Sequence, residues 1–108
     1  MDKISKQQNL FTEDDLNWLN EHGAKRIYPD SDEDYRLSFL NCRIDVRRDM
    51  DGRYEATMTD SIGKILGISG NNETLIAAIT ECFSFLNFQA ETFKTMANEI
   101  KERLLENK

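Results

Sequence analysis

The chain predicts an α+β fold: a small three-stranded antiparallel sheet packed on one face by helices, in the order α-β-β-β-α, with a long or split C-terminal helix. Three observations predict it. Alternating residues flank Asp51-Gly52 on both sides. A capped, amphipathic stretch opens at Thr12. An apolar stripe with spacings of three and four runs from Leu75 to Leu104. The length of 108 residues fits one domain with a modest core. Residues 1–10, mostly polar, are expected to form a flexible N-terminus, and 11–108 the domain.

The hairpin register follows from its side chains. A two-residue Asp51-Gly52 turn would set Val46 opposite Thr57 and Ile44 opposite Thr59, apolar over polar. A one-residue slip reverses every side chain. A three-residue loop, Met50-Asp51-Gly52, pairs Val46 with Ala56 and Ile44 with Met58 on one face. On the other it sets Arg47 across from Glu55, and Asp49 across from Arg53. Gly52 then takes the left-handed third position.

In the first helix Thr12 is the N-cap and Asp15 the capping-box residue. Phe11 and Leu16 are spaced as a hydrophobic staple. Leu16, Trp18 and Leu19 supply the apolar stripe. Gly23 ends the helix, with His22 near its negative pole.

Ala24 to Tyr28 reads as a short strand or an extended linker, and Pro29 discourages helix before it. Asp30 to Asp34 reads as an acidic loop. Tyr35 to Arg48 is strand-like but changes parity between Phe39 and Leu40, which a bulge would repair. Arg53 to Thr59 returns, and Lys64 to Ser69 makes the third strand, with bends at Gly63 and Gly67. Gly70-Asn71-Asn72 supplies a turn and an N-cap, with Glu73 in the first helical turn. An unbroken helix from there to Glu106 would span about 50 Å, longer than a small sheet can cover. It either breaks near Asn87 to Gln89 or packs its second half on something else, self-association being one consequence.

Acidic residues outnumber basic ones 20 to 14, giving a net charge of −6. That disfavours a general binder of phosphate backbones and favours partners with basic surfaces. No leader and no apolar run of membrane-spanning length is seen, so a cytoplasmic protein is expected. Cys42 and Cys82 read as small core hydrophobes rather than a disulfide.

The candidate chemistry is thin. Asp30, Asp32 and Asp34 resemble the opening of a calcium loop, but Tyr35 and Asn41 stand where that loop needs Gly and Glu. His22 is the only histidine, and a dyad with Cys42 or Cys82 would need exposed thiols. One His and two Cys make a zinc site improbable. Gly63, Gly67 and Gly70 match no phosphate-loop fingerprint. Arg43, Arg47 and Arg53, with Lys25 and Arg26, could form a basic patch, but carboxylates opposite them favour a charge-paired strand face. No cofactor, metal ligand or catalytic residue is expected.

The stretch Arg47 to Met58, then Asp60, Gly63, Gly70, Thr74-Leu75 and Ala77-Ala78, resembles HicB-type antitoxins, in which a hairpin with an Asp-Gly turn leads to a helix begun by Thr-Leu. This chain differs in its N-terminal helix and in extra residues after Gly63. The order helix, hairpin, helix also resembles small phage ABA-sandwich proteins. Both resemblances imply a small protein that acts by binding.

The expected function is therefore that of a small acidic, non-enzymatic binding protein, an anti-CRISPR-like inhibitor that blocks a basic nucleic-acid-binding surface of a host protein. Asp30, Asp32, Glu33, Asp34 and Tyr35 are the expected contact residues. The alternative is a HicB-like antitoxin or regulator that dimerises through the C-terminal helix.

Overall fold

The computed structural model describes residues 10–106. Of the expected flexible N-terminus, residues 1–9 lie outside that range. Leu10 lies inside it and is tied down, its carbonyl accepting a hydrogen bond from Arg48 Nη1 at 3.0 Å.

In chain order the elements are α1 (Glu13–Glu21), β1 (Lys25–Arg26), β2 (Asp34–Ser38), β3 (Cys42–Arg48), β4 (Tyr54–Asp60), β5 (Ile65–Asn72) and α2 (Leu75–Ile100). A wider, π-helical segment, Lys101–Glu106, carries α2 onward. The sheet is five-stranded and antiparallel, in the order β1-β2-β3-β4-β5. This corrects the expectation of three strands.

The correction has two causes. The parity change at Phe39-Leu40 is a hairpin turn and not a bulge: the Phe39 N–H donates to the Cys42 carbonyl at 2.8 Å. Reversing the chain returns Leu37 opposite Ile44 and Tyr35 opposite Val46, so all four share one face. A bulge and a tight turn both repair a parity change, and only long-range pairing separates them. The second cause is Lys25–Arg26, which adds a two-residue edge strand against Tyr35 and Arg36.

The Asp-Gly hairpin has the expected register. Val46 faces Ala56, Ile44 faces Met58 and Arg47 faces Glu55. Gly52 is left-handed, with φ of 78°. Asp49 does not meet the Arg53 side chain; its carboxylate instead accepts from the backbone N–H groups of Asp51 and Arg53, each at 2.9 Å. The turn is thus held by a short side chain folding onto its own backbone.

α1 also forms as expected. Thr12 and Asp15 make the reciprocal capping box, at 3.1 and 3.3 Å, and Gly23 closes the helix in the left-handed region. Phe11 enters the core edge-on to Tyr35 and stacked on Tyr54, with ring centroids 5.5 and 6.2 Å away. For α2 the boundary moves. β5 continues through Asn72, and Thr74 is the N-cap, its hydroxyl accepting from the Ala77 N–H at 3.0 Å. Thr74 outcompetes Asn72 because the last residues of β5 are still held by the β4 ladder, where Asn72 faces Tyr54.

The core lies between the inner face of the sheet and the two helices. It includes Leu19, Val46, Met58, Leu75, Ala78 and Cys82, all buried. α2 sits very close to β5. A Cβ on Gly67 would stand 2.5 Å from the Cys82 carbonyl oxygen, so only glycine admits this approach. Ser69 Oγ donates to the Ala78 carbonyl at 2.6 Å, two residues further along the same strand.

Candidate interaction surface

Among the solvent-exposed surfaces, three bear on function: the outer face of the sheet, the loop before β2, and the far half of α2 with the sheet end from which it leaves.

The outer face is a ladder of charges. Arg36 makes a two-pronged bond to Asp45, at 2.7 and 3.1 Å, and this bond raises the guanidinium pKa further. Arg47 stands between Asp34 and Glu55, 3.6 Å from each. Arg53 pairs with Glu73 at 3.4 Å. Of the suspected basic patch, Arg47 and Arg53 are thus paired, at partly exposed sites where each pair contributes little to stability. Toward β5 the same face turns apolar: Thr57 faces Ile68 and Thr59 faces Ile65, and both isoleucines are exposed.

The loop before β2 is less available than its sequence suggests. Asp30 is exposed. Asp32 pairs with Arg26 at 3.0 Å, and Asp34 already belongs to β2, paired with Arg47. The Glu33 backbone N–H donates to Ser31 Oγ at 3.1 Å. Tyr35 is buried in the core against Phe11, so the fold does not bring the five residues together as one exposed surface. Trp18, half-buried, stacks on His22 with centroids 4.1 Å apart. The His22 ring also bonds back to the Trp18 carbonyl through Nδ1, at 2.7 Å.

The two thiols differ in burial, Cys42 being only partly buried. Cys82 is fully buried, and burial pushes its thiol pKa up, away from the thiolate. Among the described residues no group of three metal-ligating side chains converges, and no helix is long and apolar enough to cross a membrane.

The third surface was not foreseen as a unit. The register sets Cys42 opposite Asp60, so the β2–β3 and β4–β5 turns stand at one end of the sheet. Leu40 and Ile62, at the tips of these turns, are 94% and 87% exposed. Phe39 and Ile65 beside them are also exposed. α2 leaves the sheet at this same end. There Ile65, Leu66, Ile68, Phe85 and Phe88 line an apolar groove of about 440 Å³. Beyond Leu86 every described residue of the helix is exposed, including Phe88, Phe93, Met96, Ile100, Leu104 and Leu105. The helix does not break near Asn87, and the molecule measures 73 × 24 × 21 Å as a result.

Exposed apolar surface of this extent on a small domain marks an interaction site. The sequence signal was present in the unbroken stripe from Leu75 to Leu104. What it lacked was the end of the sheet, which decides where burial stops. Comparisons of the chain with protein-family models, with curated proteins and with solved structures each return no match.

Proposed function

We propose that the protein acts by binding another protein chain through the projecting half of α2 and the apolar sheet end beneath it. The carrying observation is the set of exposed apolar side chains Phe93, Met96 and Ile100 on one face of α2 beyond the sheet, with Leu104 following in the π-helical segment. An amphipathic helix face of this kind is a standard anchor for a partner helix or groove. The test is capture by tagged full-length protein, with an untagged copy of the same chain co-expressed, read by mass spectrometry. Wild type should retain one protein at near-equal stoichiometry, and a Phe93→Glu/Ile100→Glu double variant of unchanged circular dichroism should lose it. Equal recovery by both would remove the reading.

A second reading keeps the acidic inhibitor of a basic, nucleic-acid-binding host surface. The net charge of −6 favours it, as does exposed acid at Glu13, Asp14 and Asp30. Electrostatic complementarity of this type speeds association and weakens with salt. The internal pairing of Asp32 and Asp34 reduces what the loop itself can offer. Reversing the charge of the exposed Asp30, which leaves those two pairs intact, should slow capture of a basic partner at low salt. Unchanged association would place the contact elsewhere.

A further inference from the structure

The occupant of the exposed α2 face can be argued from its own side chains, and the argument rests on the protein-binding reading above. Leu75, Ala78 and Cys82 form the face that α2 buries on the sheet. Past Leu86, where the sheet ends, Ala90, Phe93, Ala97 and Ile100 continue that face in phase, and Leu104 follows in the wider segment. The missing layer thus begins where the sheet stops and runs along the helix. We propose that a second copy of this chain fills it, its α2 lying antiparallel to the first.

Side-chain volume favours this arrangement. Centred near Thr95, an antiparallel pair sets Ala90 of one copy against Ile100 of the other, Phe93 against Ala97, and Leu86 against Leu104. Small meets large in the first two layers, as a well-filled core requires. A parallel, in-register pair stacks Ala90 on Ala90 and Ala97 on Ala97, with Phe93 on Phe93 between them, alternating voids with crowding. The antiparallel pair also brings the last turn of the second copy toward the sheet end where Leu40 and Ile62 stand exposed. One occupant then covers both apolar features.

The available area is sufficient. Phe93, Met96, Ile100 and Leu104 are each about half to two-thirds exposed. Together with the turn tips they offer on the order of 600–800 Å² per copy, near the size of a standard specific interface. Lys94 lies close to its own counterpart across the twofold axis, a like-charge contact at the rim that salt screens.

Sedimentation of the full chain from micromolar to millimolar concentration should show a mass rising toward twice 12.6 kDa. Phe93→Glu/Ile100→Glu should hold it at the single-chain mass, with unchanged circular dichroism of the sheet. Orientation is read by oxidation of single cysteines placed in a Cys42→Ser background, with the buried Cys82 left in place. Met96→Cys, near the axis, should cross-link to itself, and Leu104→Cys, far from it, should not. Self-cross-linking at both positions would show a parallel pair and overturn the proposal. A single-chain mass at every concentration would overturn it too. In that case, capture of a different protein that depends on Phe93 and Ile100 preserves the binding reading, and capture indifferent to them ends both.

Discussion

The two halves of α2 carry the same apolar pattern and meet opposite fates. From Leu75 to Leu86 the face lies on β4 and β5, so closely that Gly67 can bear no side chain. From Asn87 onward the same face meets solvent. Periodicity therefore says which side of a helix is apolar, and the length of the sheet says how much of that side is buried. A strand of seven residues covers about 23 Å, whereas 26 helical residues cover about 39 Å.

The largest expected effect breaks the near half and spares the far one. Leu75→Ala removes a buried side chain at the start of α2 and should cost about 2–4 kcal/mol by urea denaturation. Ile100→Ala, measured at a concentration too low for association, should change stability by less than about 0.5 kcal/mol. If association occurs at higher concentration, Ile100→Ala should then lower the concentration-dependent part of the midpoint. Equal costs at both positions in dilute solution would mean the two halves are packed alike.

Gly67→Ala comes next. Its methyl would meet the Cys82 backbone carbonyl, which cannot rotate away. Lifting α2 from β5 should cost about 1–3 kcal/mol, read as a lower thermal midpoint. Gly63→Ala, in the open β4–β5 turn, tests the contrast. It has no atom within reach, so its cost comes from the left-handed φ of 93° alone and should be smaller.

A third test sharpens the contrast through pH. The Tyr54 hydroxyl, buried where α1 meets the sheet, donates to Asp15 Oδ2 at 2.5 Å. Burial first, and then Asp15, raises its pKa from 10.0 to about 12. Because the folded state holds the proton more tightly, its contribution is complete below pH 10 and is lost between about pH 10 and 12, by roughly 3 kcal/mol. Tyr54→Phe should remove that alkaline loss and cost about 1–2 kcal/mol at neutral pH. Ile100 carries no titratable group, so Ile100→Ala should leave the alkaline limb unchanged. The smallest effect belongs to the N-cap of α2. Thr74→Ala leaves the Ala77 N–H without its side-chain acceptor and should cost about 1 kcal/mol.

Much of the head was readable before folding because its signals are local. The Met50-Asp51-Gly52 loop, the Thr12–Asp15 capping box and the Gly23 stop each depend on a few adjacent residues. The acidic loop is harder to read for the opposite reason. Whether Asp32 and Asp34 are free charges depends on Arg26 and Arg47 folded beside them, and whether Tyr35 is exposed or part of the core depends on Phe11, which covers it.

By itself the sequence determined the α+β class, the hairpin register, the caps of α1 and the amphipathic face of a long C-terminal helix. These follow from side-chain alternation, helical period and backbone preference within a few residues. Tertiary structure alone decided that the sheet has five strands, that Leu40 and Ile62 share one end of it, and that α2 outruns its support. Each of those depends on which distant segments pair, since burial belongs to the assembled layers and not to any one stretch of chain.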